Sequence, residues 1–262
     1  MKTALITGAS AGIGDAFARE LAARQMNLIL VARSEEKLQS LAQQLQNQHK
    51  IQVDIIVQDL TAPNAAATVF DIVEKKGLIV DLLINNAGFG AYGTFANLDR
   101  EFQLKMIQLN NLALVDLTHR FLLRMRQRRY GNIINMASVA GFQAMPYFSI
   151  YAATKAFILS FSEALWAENR NDGIHVVAVC PGPTETNFFQ EAEFPTFLAD
   201  VAAKNYTPVK VVVQEALEAI EKKQPIVIPG SPTNQVLANL PRFLPREAVV
   251  NLWKFLLGMK GK

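Results

Sequence analysis

The sequence predicts an α/β fold: a doubly wound parallel sheet of about seven strands in a single domain. Three observations predict it. Short β-branched or aliphatic runs recur along the 262 residues, stretches with helical apolar spacing separate them, and a glycine-rich turn follows the first run at once. Continuous apolar strands that alternate with helices imply a sheet covered on both faces, because crossover helices hide both sides of each strand.

Strands are expected at 3–7 (TALIT), 27–32 (NLILVA), 51–57 (IQVDIIV) and 81–84 (DLLI), then at 131–137 (GNIINMA), 174–180 (IHVVAVC) and 225–228 (PIVI). Leu38, Leu41 and Leu45 mark one helix face between them, and Phe102, Met106, Leu109, Leu112 and Ala113 mark another. A further helix is expected from 151 to about 170, and the stretch from about 181 to 208 reads as irregular. Long loops at the carboxyl ends of strands are usually functional, so 184–208 is expected to be a substrate loop. No Pro/Gly/Ser linker, low-complexity segment or solenoid repeat divides 1–262, and 241–262 reads as a helical tail.

Half of the residues are hydrophobic and 19% are charged, enough to bury a sizeable core. The net charge of +3 comes from 26 basic and 23 acidic residues scattered along the chain, which argues against nucleic acid as a partner. Cys180 is the single cysteine and cannot close an intrachain disulfide, and "TALIT" begins where a signal peptide would carry its charged lead and apolar stretch. A cytoplasmic protein without a metal site is the expectation.

"TGASAGIG", Thr7 to Gly14, lies between the first strand and a helical stretch. Gly8, Gly12 and Gly14 permit a tight turn, let backbone approach a phosphate, and bring helix and strand together, while helix N–H groups meet a pyrophosphate. About 20 residues on, an NAD site needs a carboxylate for the ribose, yet Ala32 stands there and Arg33 follows. A guanidinium suits a 2′-phosphate, Ser34 adds a hydroxyl, and a cation before a helix N-terminus otherwise faces the wrong end of the dipole. NADP(H) is therefore the expected cofactor. Glu35 and Glu36 fit the first turn of a helix capped by Ser34. Asp59 can accept from an adenine amino group or cap the next turn. "NNAG", Asn85 to Gly88, forms a turn at the carboxyl end of the sheet, where ligands bind in open α/β folds.

"YAATK" places Tyr151 and Lys155 one above the other on a helix face. A tyrosine hydroxyl with a pKa of about 10 is a poor acid or base at neutral pH, and a nearby ammonium lowers that value. Ser138, at the end of the fifth strand, can reach the same crevice and stabilise the alkoxide-like charge that develops on a substrate oxygen.

"TGASAGIG", "NNAG", Ser138, "YAATK" and "PGP" (181–183), in this order and at these intervals, resemble the short-chain dehydrogenase/reductase family. The resemblance runs from residue 3 to about 186. It implies a Rossmann-type fold with seven parallel strands, an NAD(P) cofactor, and interconversion of a carbonyl and an alcohol. Tyr151 would be the general acid/base, Lys155 the ribose-binding residue that lowers its pKa, and Ser138 the donor to the substrate oxygen. Asn110, preferred over its neighbour Asn111, would support a proton relay. Cofactor contacts are implied for Gly8, Ser10, Gly12, Ile13 and Gly14, for Arg33, Ser34, Asp59 and Leu60, and for Asn86, Ala87 and Gly88. Tyr151, Lys155, Pro181 and Gly182 complete the set, with either Thr184 or Thr186 on the nicotinamide carboxamide. Arg33 resembles the NADP-preferring branch, and a homodimer or homotetramer is implied.

Phe188, Phe189, Phe194 and Phe197, with Phe142, Met145, Tyr147 and Phe148, suggest an apolar substrate pocket, or else the packing of a lid or subunit contact. In the tail, Val249, Leu252, Trp253, Leu256 and Leu257 form a helical stripe too short to span a bilayer. It can cover a neighbouring subunit, the reading placed first, or close the domain, or lie on a membrane surface. Two other function classes compete with an oxidoreductase: an NADP-binding sensor or scaffold without turnover, and a lyase or epimerase that recycles its cofactor.

Overall fold

Apolar residues on both sides of each strand need two covering layers, and the computed structural model, which describes residues 1–258, supplies them. Strands β1 (Thr3–Thr7), β2 (Asn27–Ala32), β3 (Val53–Val57), β4 (Leu82–Asn85), β5 (Gly131–Met136), β6 (Ile174–Val179) and β7 (Ile226–Val227) form one parallel sheet ordered β3-β2-β1-β4-β5-β6-β7. Ala4, Ile6, Leu28 and Leu30 face one cluster with α1 (Gly12–Ala23), α2 (Glu35–His49) and, later in the chain, Val209–Glu221. Leu5, Ile29, Val31 and Leu83 face the other, where α3 (Ala65–Lys75) contributes Val69 and Val73. The alternation follows the strand period of two. Strand order reverses between β1 and β4, so their carboxyl ends open a crevice.

The helical stretch after β4 is interrupted. It comprises α4 (Arg100–Ile107), a π-helical turn at Gln108–Ala113, and α5 (Leu114–Arg128). Successive residues of an α-helix point about 100° apart. The wider turn brings Asn110 and Asn111 together against α6 (Ser149–Asn169), where both donate to Thr154, to Oγ1 and to the carbonyl respectively.

The stretch expected to be irregular contains two short helices, α7 (Phe188–Glu191) and α8 (Thr196–Ala203), and a bridge between Thr184 and Thr207 closes its base. Helix α9 is Val209–Glu221, and β7 is only two residues long because Pro225 and Pro229 flank it without N–H donors. After α10 (Pro232–Asn239) comes α11 (Arg246–Gly258). Its expected stripe splits: Val249 and Leu257 are buried and Leu252 is exposed, so the helix covers the domain with one side only. The last four residues of the expected tail lie outside the described residues.

Candidate active site

Thr7 and Asn86 join the two strands at the point of reversal. Thr7 Oγ1 donates to the Ile84 carbonyl and accepts from the N–H groups of Asn86 and Ala87, while Asn86 Nδ2 donates to the carbonyls of Thr7 and Gly8. This holds the glycine turn against "NNAG". A β-carbon on Gly14 would fall 2.2 Å from the Gly8 carbonyl oxygen, and one on Gly8, where φ is +67°, would fall 2.9 Å from Asn86 Nδ2. Only glycine fits, and α1 begins right behind the turn with no side-chain cap on its first N–H groups. Ser10 is half-buried beside the turn, whereas Ile13 packs toward the core.

Arg33 is exposed and makes no ion pair among the described residues. Ser34 occupies the N-cap of α2, but its hydroxyl makes no capping bond, contrary to the expected cap. Asp59 takes the capping alternative: Oδ1 accepts from the Thr61 N–H and from Thr61 Oγ1. Partial burial works to raise its pKa, but the two Thr61 bonds with Arg33 and Lys105 hold the carboxyl below its ordinary range. Leu60 turns inward, packed in the cluster with Val69 and Leu83.

Ser138, Tyr151 and Lys155 converge as expected and are all buried. Ser138 Oγ accepts from the Ala140 N–H and donates to the Pro181 carbonyl at 3.4 Å, tying "PGP" to the end of β5. The lowering expected from Lys155 is not among the influences on Tyr151. Burial dominates and pushes the Tyr151 hydroxyl above its usual range, opposed by the neighbouring Ser138 hydroxyl. Lys155 Nζ donates to the Met136 carbonyl and lies 5.5 Å from the centre of the tyrosine ring, over its face. Burial also pulls Lys155 itself down to about 8.

Asn110, rather than Asn111, faces the site. Its Oδ1 accepts from the Phe89 N–H, its Nδ2 donates to the Phe89 carbonyl, and a β-carbon on Gly88 would meet Oδ1 at 2.9 Å and Lys155 Nζ at 3.7 Å. The two threonines also separate. Thr184 is buried and donates to the Gly182 carbonyl, whereas the Thr186 methyl sits 3.3 Å from where a Gly12 β-carbon would be. Thr186 therefore overhangs the glycine turn.

Phe148 stacks on Tyr151 at 4.3 Å between ring centres, and Phe188 lies at 5.3 Å. Phe194 and Met145 complete this cluster, Phe189 touches Phe188 and Phe194, and Tyr147 reaches Tyr92. Phe142 does not join them; it packs with Leu114, Ile158 and Cys180. Phe197 makes no ring contact among the described residues. Met106, from the expected helix face, also belongs here, as do Phe89, Ala91 and Tyr92, which sequence reasoning missed. Their signal was an aromatic, glycine-punctuated run, "FGAYG", directly after "NNAG". Asn234 was missed too: buried on α10, it donates to Thr207 Oγ1 and the Pro229 carbonyl and backs onto Gly182.

Fold and site define a dinucleotide-binding type of α/β protein with a buried serine, tyrosine and lysine beside the glycine turn. The chain belongs to the short chain dehydrogenase family, whose sequence profile matches residues 2–195. It is 35% identical over 185 residues to a very-long-chain 3-oxoacyl-CoA reductase of Anas platyrhynchos, covering 68% of this chain and 58% of that protein. The chain thus spans somewhat over half the length of that curated relative. Among solved structures, it is similar to a short-chain dehydrogenase from Sphingobium yanoikuyae in complex with NADPH, at 32% identity and a TM-score of 0.82 over 100% of this chain and 97% of the other. A bulky-bulky ketone specific alcohol dehydrogenase from Comamonas testosteroni matches at 32% identity and a TM-score of 0.78, covering 94% and 96%.

Proposed function

We propose that the protein is an NADP(H)-dependent oxidoreductase that interconverts a carbonyl and an alcohol on an apolar small molecule, with Tyr151 as general acid and base. The observation that carries this reading is the joint burial of Tyr151 and Lys155 beside Ser138, under a cover of aromatic rings. NADP(H), when bound, donates or accepts the hydride. The fit of the glycine turn supports it, since β-carbons on Gly8, Gly14 or Gly88 would collide with backbone or with Asn86 and Asn110. Arg33 and the uncommitted Ser34 hydroxyl would hold the 2′-phosphate, and the similar protein solved with NADPH supports that preference.

A substrate oxygen accepts from Ser138 Oγ and the Tyr151 hydroxyl. As negative charge grows on it, Tyr151 delivers its proton and Ser138 keeps its hydrogen bond. Burial favours the protonated form of Tyr151, the form that acts as the acid when a carbonyl is reduced. Lys155 holds ribose hydroxyls, Asn110 positions the Phe89 backbone beside it, and Thr186 borders the nicotinamide. Phe148, Phe188 and Phe194 favour an apolar substrate, in keeping with the ketone-specific enzyme of similar fold.

The test is NADPH and NADH oxidation against apolar ketones, aldehydes and quinones, with Tyr151→Phe as control. Consumption of NADPH is expected to fall about 10²–10⁴-fold in the variant, with binding retained. NADPH binding without turnover in either direction would favour a sensor, and product without net NADPH consumption a lyase or epimerase.

A further inference from the structure

We propose that α11 docks the protein onto an anionic membrane surface and so brings the aromatic cluster that covers Tyr151 to the lipid. The C-terminal end of this helix touches the aromatic cluster. Tyr92 donates its hydroxyl to the Leu257 carbonyl, and a β-carbon on Gly258 would lie 3.0 Å from the Tyr147 hydroxyl. The Tyr92 ring in turn meets Phe194 at 4.9 Å, so the end of α11 is joined to the cluster that covers Tyr151.

The outer side has a different character. Ala248, Leu252 and Phe255, at i, i+4 and i+7, form an exposed stripe turned away from buried Val249 and Leu257. Phe255 is 68% exposed, and Phe243, just ahead of the helix, is 82% exposed with Leu244 open beside it. The two open phenylalanines lie within one short segment, 243–255. Between 240 and 258 the sequence has three cations, Arg242, Arg246 and Lys254, against the single carboxylate Glu247. None of the three is ion-paired among the described residues.

Aromatic and aliphatic side chains that insert shallowly, with unpaired cations nearby, match an anionic lipid interface. A second copy fits less well, because a twofold contact through this face would bring a segment of net positive charge against itself. No helix among the described residues is long and apolar enough to cross a membrane, so the contact is one of lying on the surface. The functional consequence deepens the oxidoreductase reading and rests on it: carbonyl substrates dissolved in lipid would enter beside α11.

The full chain is floated with phosphatidylcholine vesicles, with and without phosphatidylserine, at low and high salt. The wild type is expected to float with the serine lipid at low salt only. Phe243→Ser with Phe255→Ser, and separately Arg246→Gln with Lys254→Gln, should each bind about tenfold less. Both variants keep wild-type melting and NADPH oxidation with a water-soluble ketone. Absence of wild-type flotation, or equal binding to neutral vesicles, overturns the proposal. So does sedimentation in which the wild type self-associates and the phenylalanine variant does not. Flotation by a chain that reduces no ketone would leave the docking standing while removing the oxidoreductase reading.

Discussion

Lys155 Nζ donates a 2.6 Å hydrogen bond to the carbonyl of Met136, the last residue of β5. The bond pins α6 to the strand that leads to Ser138 while it holds an ammonium out of water. The folded-state pKa of about 8 lies below the ordinary 10.5, so between these values the unfolded chain keeps a proton that the folded chain has lost. Stability then rises with pH across that window, and the cost of the buried charge is fully present below pH 8. Denaturant melts of wild type minus Lys155→Met, a difference that cancels the opposite trends of Tyr151 and Cys180, are expected to gain up to about 3 kcal/mol from pH 7 to 10. A flat difference would mean that Lys155 titrates as an ordinary lysine.

Arg33 is exposed, and its removal touches no packing. Arg33→Ala is expected to leave the melting temperature unchanged and to reduce the ratio of kcat/KM for NADPH over NADH by roughly 10–100-fold, the worth of a charged hydrogen bond. An unchanged ratio would remove this side chain from the phosphate site.

Gly14→Ala and Gly77→Ala separate collision from conformation. At Gly14 the new methyl meets the Gly8 carbonyl oxygen at 2.2 Å, while at Gly77, with φ at +66°, nothing lies within 4 Å. The first substitution should cost about 2–3 kcal/mol or more and weaken NADPH binding. The second should cost about 1 kcal/mol and leave binding intact. Calorimetry with an NADPH titration distinguishes them, and equal effects at the two sites would contradict the tight cradle.

Asn234→Ala strips the hydrogen bonds to Thr207 and Pro229 from a buried position behind Gly182. A loss of about 1–3 kcal/mol is expected. Because Thr207 closes the base of the segment carrying α7 and α8, KM for the carbonyl should rise more than kcat falls. The reverse pattern in steady-state kinetics would argue that Asn234 reaches the reacting atoms through Gly182.

Much of the site was legible because its signals are local. Glycines at 8, 12 and 14 and the four-residue step from Tyr151 to Lys155 need only the geometry of one turn or one helix. The π turn that sets Asn110 and Asn111 against α6 was not legible, since it depends on Phe89 and Thr154, which are distant in sequence. Nor was the buried chain in which Asn85 donates to Thr118 and Asn135, and Asn135 to Ser162. These partners lie 27 to 50 residues apart, and nothing in the local pattern marks them as polar core.

By itself, the sequence determined the parallel sheet, the helix that carries Tyr151 and Lys155, and the turn that only glycine can make. Periodicity and backbone freedom are properties of neighbouring residues. Tertiary structure decided the rest: the upward shift of Tyr151, the assignment of Thr186 to the glycine turn, the capping role of Asp59, and the division of α11 into a buried side and an open one. Each of these depends on desolvation or on a partner from another element, and neither exists until the layers have packed.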